Sequence, residues 1–154
     1  MRRVVIESPL RGDVKLNMAY AKLCMLDSFK RGEAPFASHL LYAQTGLLSN
    51  TVQAERTLGM EAGFLWGQGA DLVAVYANLG ISCGMAAGIW RAKREGLTVE
   101  HRKLTAFWRD LICPSCIEPR LSSAAPCCNV PCGGHWWEGC WHCHHPKHWN
   151  LKGR

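Results

Sequence analysis

Two groups of residues have types and spacings suited to chemistry. The first is the stretch NLGISCGMAAGIWRA, residues 78–92. Glycines and a serine ahead of a helical pattern compose a helix start open to an anion. Ser82 is placed to cap the helix, and the unpaired backbone N–H groups and helix dipole there favour a phosphate. Gly80 and Gly84 let backbone and ligand approach closely. One turn further in, where such a loop delivers a reactive side chain, the residue is Gly88. The second group is Cys113-x-x-Cys116 and Cys140-x-x-Cys143. Each short spacing turns two thiolates onto one ion, so the pairs predict a tetrahedral Cys₄ zinc site with ligands at about 2.3 Å. Cys127, Cys128, Cys132, His135, His142, His144, His145 and His148 compete as ligands. A Cys₃His set using Cys132 and His135, or a second ion, stays open.

The first group needs a scaffold, and the preceding chain supplies a regular one. Residues 3–8, RVVIES, form a short apolar run. The helical segment that follows places Leu16, Ala19, Leu23 and Leu26 on one face and stops at Gly32. APFASHLL predicts a second strand ending near His39. Residues 49–69 predict a helix with Ala54, Leu58, Ala62 and Leu65 inward. DLVAVYA, residues 71–77, is continuous, apolar and too short for a helix, which marks a buried strand. A third helix, with Met85, Ile89 and Ala92 inward, and a last strand LTVEHR complete the pattern. Strands alternating with helices predict parallel βαβ units, an α/β fold of about four strands. Ligands bind beyond the carboxyl ends of such strands. The loops after the strands therefore bring Ser8, Pro9, Arg11, Asn17, His39, Asn78, Gly80, Ser82, Gly84 and Met85 to one edge as candidate binding residues. Arg11 is a candidate phosphate clamp. His39 and Asn78 are candidates for the base or for sugar hydroxyls. Among the carboxylates, strand alternation would turn Glu7 away from the cleft, while Glu55 and Arg56, opening the second helix, read as a local ion pair or a packing contact with the next loop. None is placed as a nucleophile.

SPLRGD…N, HLLYAQ, ERTLG and GISCGMAAGIWRA, together spanning about residues 3–104, resemble a family of small phage and bacterial domains. These are related to the nucleoside 2-deoxyribosyltransferases and deoxynucleoside 5′-monophosphate N-glycosidases. The resemblance implies a Rossmann- or flavodoxin-like sandwich and cleavage of the bond between base and deoxyribose. It also implies a homo-oligomer, since such relatives assemble sites across dimers. In the family a helical glutamate attacks the anomeric carbon, and the logic is that of covalent catalysis by a carboxylate. Ser82 and Gly84 match the family pattern, Ile89 and Ala92 match its later positions, and Gly88 stands where the glutamate would be. Nucleoside or nucleotide binding is thus the expected function. Catalysis then needs a displaced carboxylate or direct attack by water. A catalytically inactive, zinc-stapled interaction protein is the alternative.

Composition narrows the classes. With 48% hydrophobic and 19% charged residues, the 154-residue chain suits a packed core. No apolar run approaches the roughly 20 residues of a membrane helix. The apolar run that begins in the N-terminal MRRVVIESPL is broken by Glu7, Pro9 and the following Arg11, unlike a secretory leader, so a cytoplasmic location and no membrane partner are expected. A net charge of +6 without a basic run argues against nucleic acid as a partner. The domain expected at residues 1–104 gives way to a tail at 105–154 rich in Cys, His and Trp, with little periodicity. Such a tail needs a metal staple to fold. Substituting one zinc ligand, Cys113→Ser, is expected to lower the zinc retained after mild chelation, measured by elemental analysis. Unchanged metal content would remove zinc from the tail.

Overall fold

The computed structural model describes residues 1–43, 46–114, 117 and 119. The chain divides into two compact units, Met1–Ala106 and Phe107–Arg154. The first contains β1 (Arg3–Glu7), α1 (Val14–Lys30), β2 (Ala34–Phe36), α2 (Ser38–Tyr42), α3 (Gln53–Gly67), β3 (Leu72–Tyr76), α4 (Cys83–Arg94) and β4 (Val99–Arg102). In the second, the described residues form a short 3₁₀ turn, Trp108–Leu111, and an isolated bridge between Ile112 and Pro119. No described helix is long and apolar enough to cross a membrane.

The strands make one parallel sheet in the order β2-β1-β3-β4, with Val5 opposite Val73 and Val75 opposite His101. Alternation divides the side chains between its faces. Val4, Ile6, Leu72, Ala74 and Tyr76 are buried on the face toward α1, where Tyr76 Oη donates to Asp27 Oδ2 at 2.6 Å. Val73 and Val75 pack on the other face with Met85 and Ala92, joined by Val5, Ile89, Leu97 and Val99. Each fully buried Val, Ile or Leu contributes about 1.5–3 kcal/mol. All five residues of β3 are buried, as its unbroken apolar run predicts.

Two expectations are corrected. The second strand stops at Phe36, and Ser38–Tyr42 is helical, so His39 lies in α2 rather than at a strand end. The buried face of α3 is also not its leucine stripe: Leu58 and Leu65 are 61% and 68% exposed, and Ala54 is exposed. Gly63 and Gly67 are buried instead. A Cβ at Gly63 would lie 2.7 Å from Ser38 Cβ, and one at Gly67 would lie 3.5 Å from Val5 Cγ2. At Gly63 the helix comes so close to α2 that no side chain fits, whereas a Cβ at Gly67 would make only ordinary contact with β1, and Leu58 and Leu65 point outward.

A buried ion network ties distant parts of this unit together. Glu33, between α1 and β2, receives Arg102 Nη1 at 2.7 Å and Nη2 at 2.9 Å, Arg2 Nη2 at 2.7 Å and Ser28 Oγ at 2.8 Å. Arg102 also reaches Glu100 at 2.9 Å. Hydrogen bonds from Arg102, then from Ser28 and Arg2, hold the Glu33 carboxyl down at about 2. Its folded pKa lies below the unfolded value. The stability it contributes is therefore present at neutral pH and lost as pH falls from about 4.5 towards 2. Arg102→Met would leave that carboxylate buried with only Arg2 and Ser28. Urea unfolding at pH 7 is expected to show a loss of about 3 kcal/mol, with a smaller acid-dependent loss below pH 4.5 than in the parent.

Candidate functional site

Strand order reverses between β1 and β3, the place where ligands enter open parallel sheets. A cleft of about 760 Å³ lies there, over the sheet face that carries Val5 and Val73 and between α3 and α4. A volume of 300–1,000 Å³ suits a small organic ligand. At one end the cleft is lined by the start of α4. Ser82 caps this helix through its hydroxyl, which accepts from Met85 N at 3.3 Å. Gly80 holds the preceding turn at φ +84°, a left-handed conformation that favours glycine.

Arg56 of α3 crosses to this helix start, its Nη2 lying 3.2 Å from where a Cβ of Gly84 would sit. Arg11 lines the same cleft from the β1–α1 loop and is exposed. No carboxylate among the described residues forms an ion pair with either. Arg91, also in the lining, is committed to Glu61 at 2.8 Å and Glu95 at 2.9 Å. The helix terminus and two guanidiniums without carboxylate partners thus make this part of the cleft lining suited to an anion.

The same cleft holds titratable groups. Ser8 Oγ and His39 Nε2 share a 2.9 Å hydrogen bond. Burial pushes His39 down to about 4, so its ring is neutral at pH 7. Beside Ser8, Glu7 points into the cleft against Gly88. A Cβ built at position 88 would lie 2.8 Å from Glu7 Cδ and closer still to Oε1. Glu7 opens onto the cleft yet lies deep enough that desolvation pushes its carboxyl up to about 8. Alternation does not turn it away: it puts Glu7 on the same side of β1 as Val5, the side the cleft occupies.

The structure sorts the expected binding residues. Ser8, Arg11, His39, Ser82, Gly84 and Met85 come together in the cleft lining. Met85 contributes mainly as core, and its sulfur accepts from Ser82 N at 3.5 Å. Three others act behind the cleft. Pro9 is buried in the turn after β1. Asn17 is buried and donates through Nδ2 to Arg11 O at 2.8 Å, bracing the loop that carries Arg11. Asn78 spends its amide elsewhere: Oδ1 accepts from Tyr20 Oη and from Leu104 N, both at 2.8 Å, and Nδ2 donates to Leu104 O at 3.1 Å. It therefore holds the loop. Glu55 does not pair with Arg56; it accepts from the backbone N of Ser49. Glu7 and Arg56 were missed by sequence reasoning, although alternation from Val5 signals the former.

Of the expected zinc ligands only Cys113 is described; Cys116, Cys140 and Cys143 lie outside the described residues. Among the described residues no group of three or more His, Cys, Asp or Glu is placed to hold a metal ion.

The cleft's elements, β1 to β4, fall within residues 2–102, the span matched by the model of a family described as a domain of unknown function, DUF7768. The chain belongs to that family. No curated protein matches it. Within the DUF7768 segment, the carboxyl at Glu7 carries a measurable cost. Its folded pKa is above the unfolded one, so its contribution to stability is full below about pH 4.5 and is lost as pH rises to about 8. Glu7→Gln removes this loss. The variant is expected to match the parent near pH 4 and to exceed it by on the order of 3 kcal/mol above pH 8 in chemical denaturation.

Proposed function

We propose that the cleft binds a nucleoside or nucleotide and that the domain is a nucleoside 2-deoxyribosyltransferase-like fold acting on N-glycosidic bonds. The observation that carries this reading is the set of groups that one continuous cleft brings together. Arg11, Arg56 and the start of α4 suit a phosphate, and Glu7, Ser8 and His39 offer uncharged hydrogen-bonding groups for sugar and base at pH 7. The sheet order β2-β1-β3-β4 is that of Rossmann- and flavodoxin-like sheets, whose ligands sit at the β1/β3 switch point, and this supports the assignment. The resemblance in Ser82-x-Gly84-Met85 supports it too. The partner is a small molecule. The zinc site at Cys113, Cys116, Cys140 and Cys143 is proposed on the two CxxC spacings, as a staple for the tail rather than a part of this cleft.

Thermal or chemical unfolding of the full chain in the presence of nucleosides and nucleotides tests the reading. A 5′-monophosphate at 100 times its dissociation constant is expected to add about 2.7 kcal/mol. Arg56→Ala is expected to weaken the monophosphate by roughly 10-fold and the parent nucleoside hardly at all. Absence of stabilisation by every nucleoside and nucleotide would remove the reading.

A further inference from the structure

Two adjacent choices at the floor of the cleft are each unfavourable for folding. Gly88 is buried within α4, where glycine costs about 1 kcal/mol relative to alanine. Glu7 is a carboxyl held where desolvation opposes its charge, and no described side chain pairs with it. The two fit each other in space, because the carboxyl occupies the volume that any side chain at 88 would need. Unfavourable local choices that agree sterically and converge in a cleft are the mark of a working site rather than of packing.

We propose that Glu7 is the catalytic carboxyl of this cleft, the acid that protonates the departing base as an N-glycosidic bond breaks. The proposal rests on the nucleotide-binding reading above. The Glu7 carboxylic acid gives its proton to the leaving nitrogen of the base. The C1′–N bond breaks heterolytically, its electron pair staying on that nitrogen and leaving the sugar as an oxocarbenium ion. A water oxygen then bonds to C1′, and a proton of that water passes to the Glu7 carboxylate, restoring the acid. Free base and hydrolysed sugar are the products, and nothing is oxidised or reduced.

Geometry selects Glu7 for this role. The other carboxyl in the cleft lining, Glu95, is paired with Arg91 at 2.9 Å and exposed at the C-terminal end of α4. The charged and titratable groups sharing the cleft with Glu7 are His39 from α2, Arg56 from α3, Cys83, Arg91 and Glu95 from α4 and its cap, and Arg11 from the β1–α1 loop. Burial alone sets the direction of its shift, upward to about 8, which leaves the acid form dominant at pH 7. Neutral His39, bonded to Ser8, adds no positive charge to draw the proton off.

The test uses the full chain, with 2′-deoxynucleoside and ribonucleoside 5′-monophosphates as probes. Calorimetry reads binding and chromatography reads released base. The parent is expected to bind and to release base, with a rate that falls as pH rises through about 8. Glu7→Gln is expected to bind within about threefold and to release base at least roughly 100-fold more slowly. Gly88→Ala, which displaces the carboxyl, is expected to lower release while binding persists. Undiminished release by Glu7→Gln overturns the proposal, as does a parent rate that climbs through pH 8. A parent that binds nucleotides without releasing base leaves the binding reading standing and overturns the role of Glu7. If no probe binds, the binding reading fails and the proposal falls with it.

Discussion

The architecture of the cleft turns on how closely α4 approaches the end of β1. That approach exists because position 88 has no side chain and because the Glu7 carboxyl fills the gap. A larger residue at 88 would push the helix from the sheet or force Glu7 aside. Moving the helix would shift the Ser82 cap, and with it the line between Arg56 and the helix start, whereas moving Glu7 alone would leave both in place. α3 shows the same economy of space at Gly63, against Ser38. Interior packing is dense enough that such contacts set positions to fractions of an ångström. Glycine at these points therefore acts as a spacer of fixed thickness, in addition to any conformational freedom it brings.

Rigid support comes from the opposite face of the sheet. Glu33 joins Arg102 at the end of β4 to Arg2 at the start of β1 and to Ser28 in α1. A buried ion pair of this sort adds little net stability over an apolar replacement, yet breaking it from one side is costly. Its effect is to specify how the outer strand and α1 sit against the central pair of strands, which carry the cleft. Electrostatics are divided accordingly. Glu33, Arg102 and Arg2 are matched on the α1 face, while Arg11 and Arg56 in the cleft have no carboxylate partner among the described residues.

Much of this was legible in the residues. The unbroken apolar run of β3, the Gly32 stop after α1, and the Ser82 cap of α4 are local signals, and local signals survive folding. The stripe expected on α3 failed because periodicity reports which residues share a face and cannot say which face turns inward. Where a helix lies within glycine distance of its neighbours, the inward face is the small one. Asn17 and Asn78 were read as ligands because amides suit ligands. They equally suit loop backbone, and only the partners at Arg11 O and Leu104 decide. Glu7 was dismissed although alternation places it with Val5. The missing fact was which face of the sheet the cleft opens on, and that depends on helices contributed by later parts of the chain.

The amide of Asn78 meets both backbone groups of Leu104, as a peptide group of a neighbouring strand would. In effect β3 continues for one more rung through a side chain after its backbone has turned away into the ligand loop. This sets a boundary for any excised fragment. A piece ending at Arg102 would retain all four strands and the buried ion network, yet it would lack the rung that anchors the loop leading to Ser82. By strand count it would look complete, but Asn78 would keep only its Tyr20 partner, with Ala77 N still bonded to Arg102 O. A version of this domain that keeps the anchor therefore extends past its last strand, through Leu104.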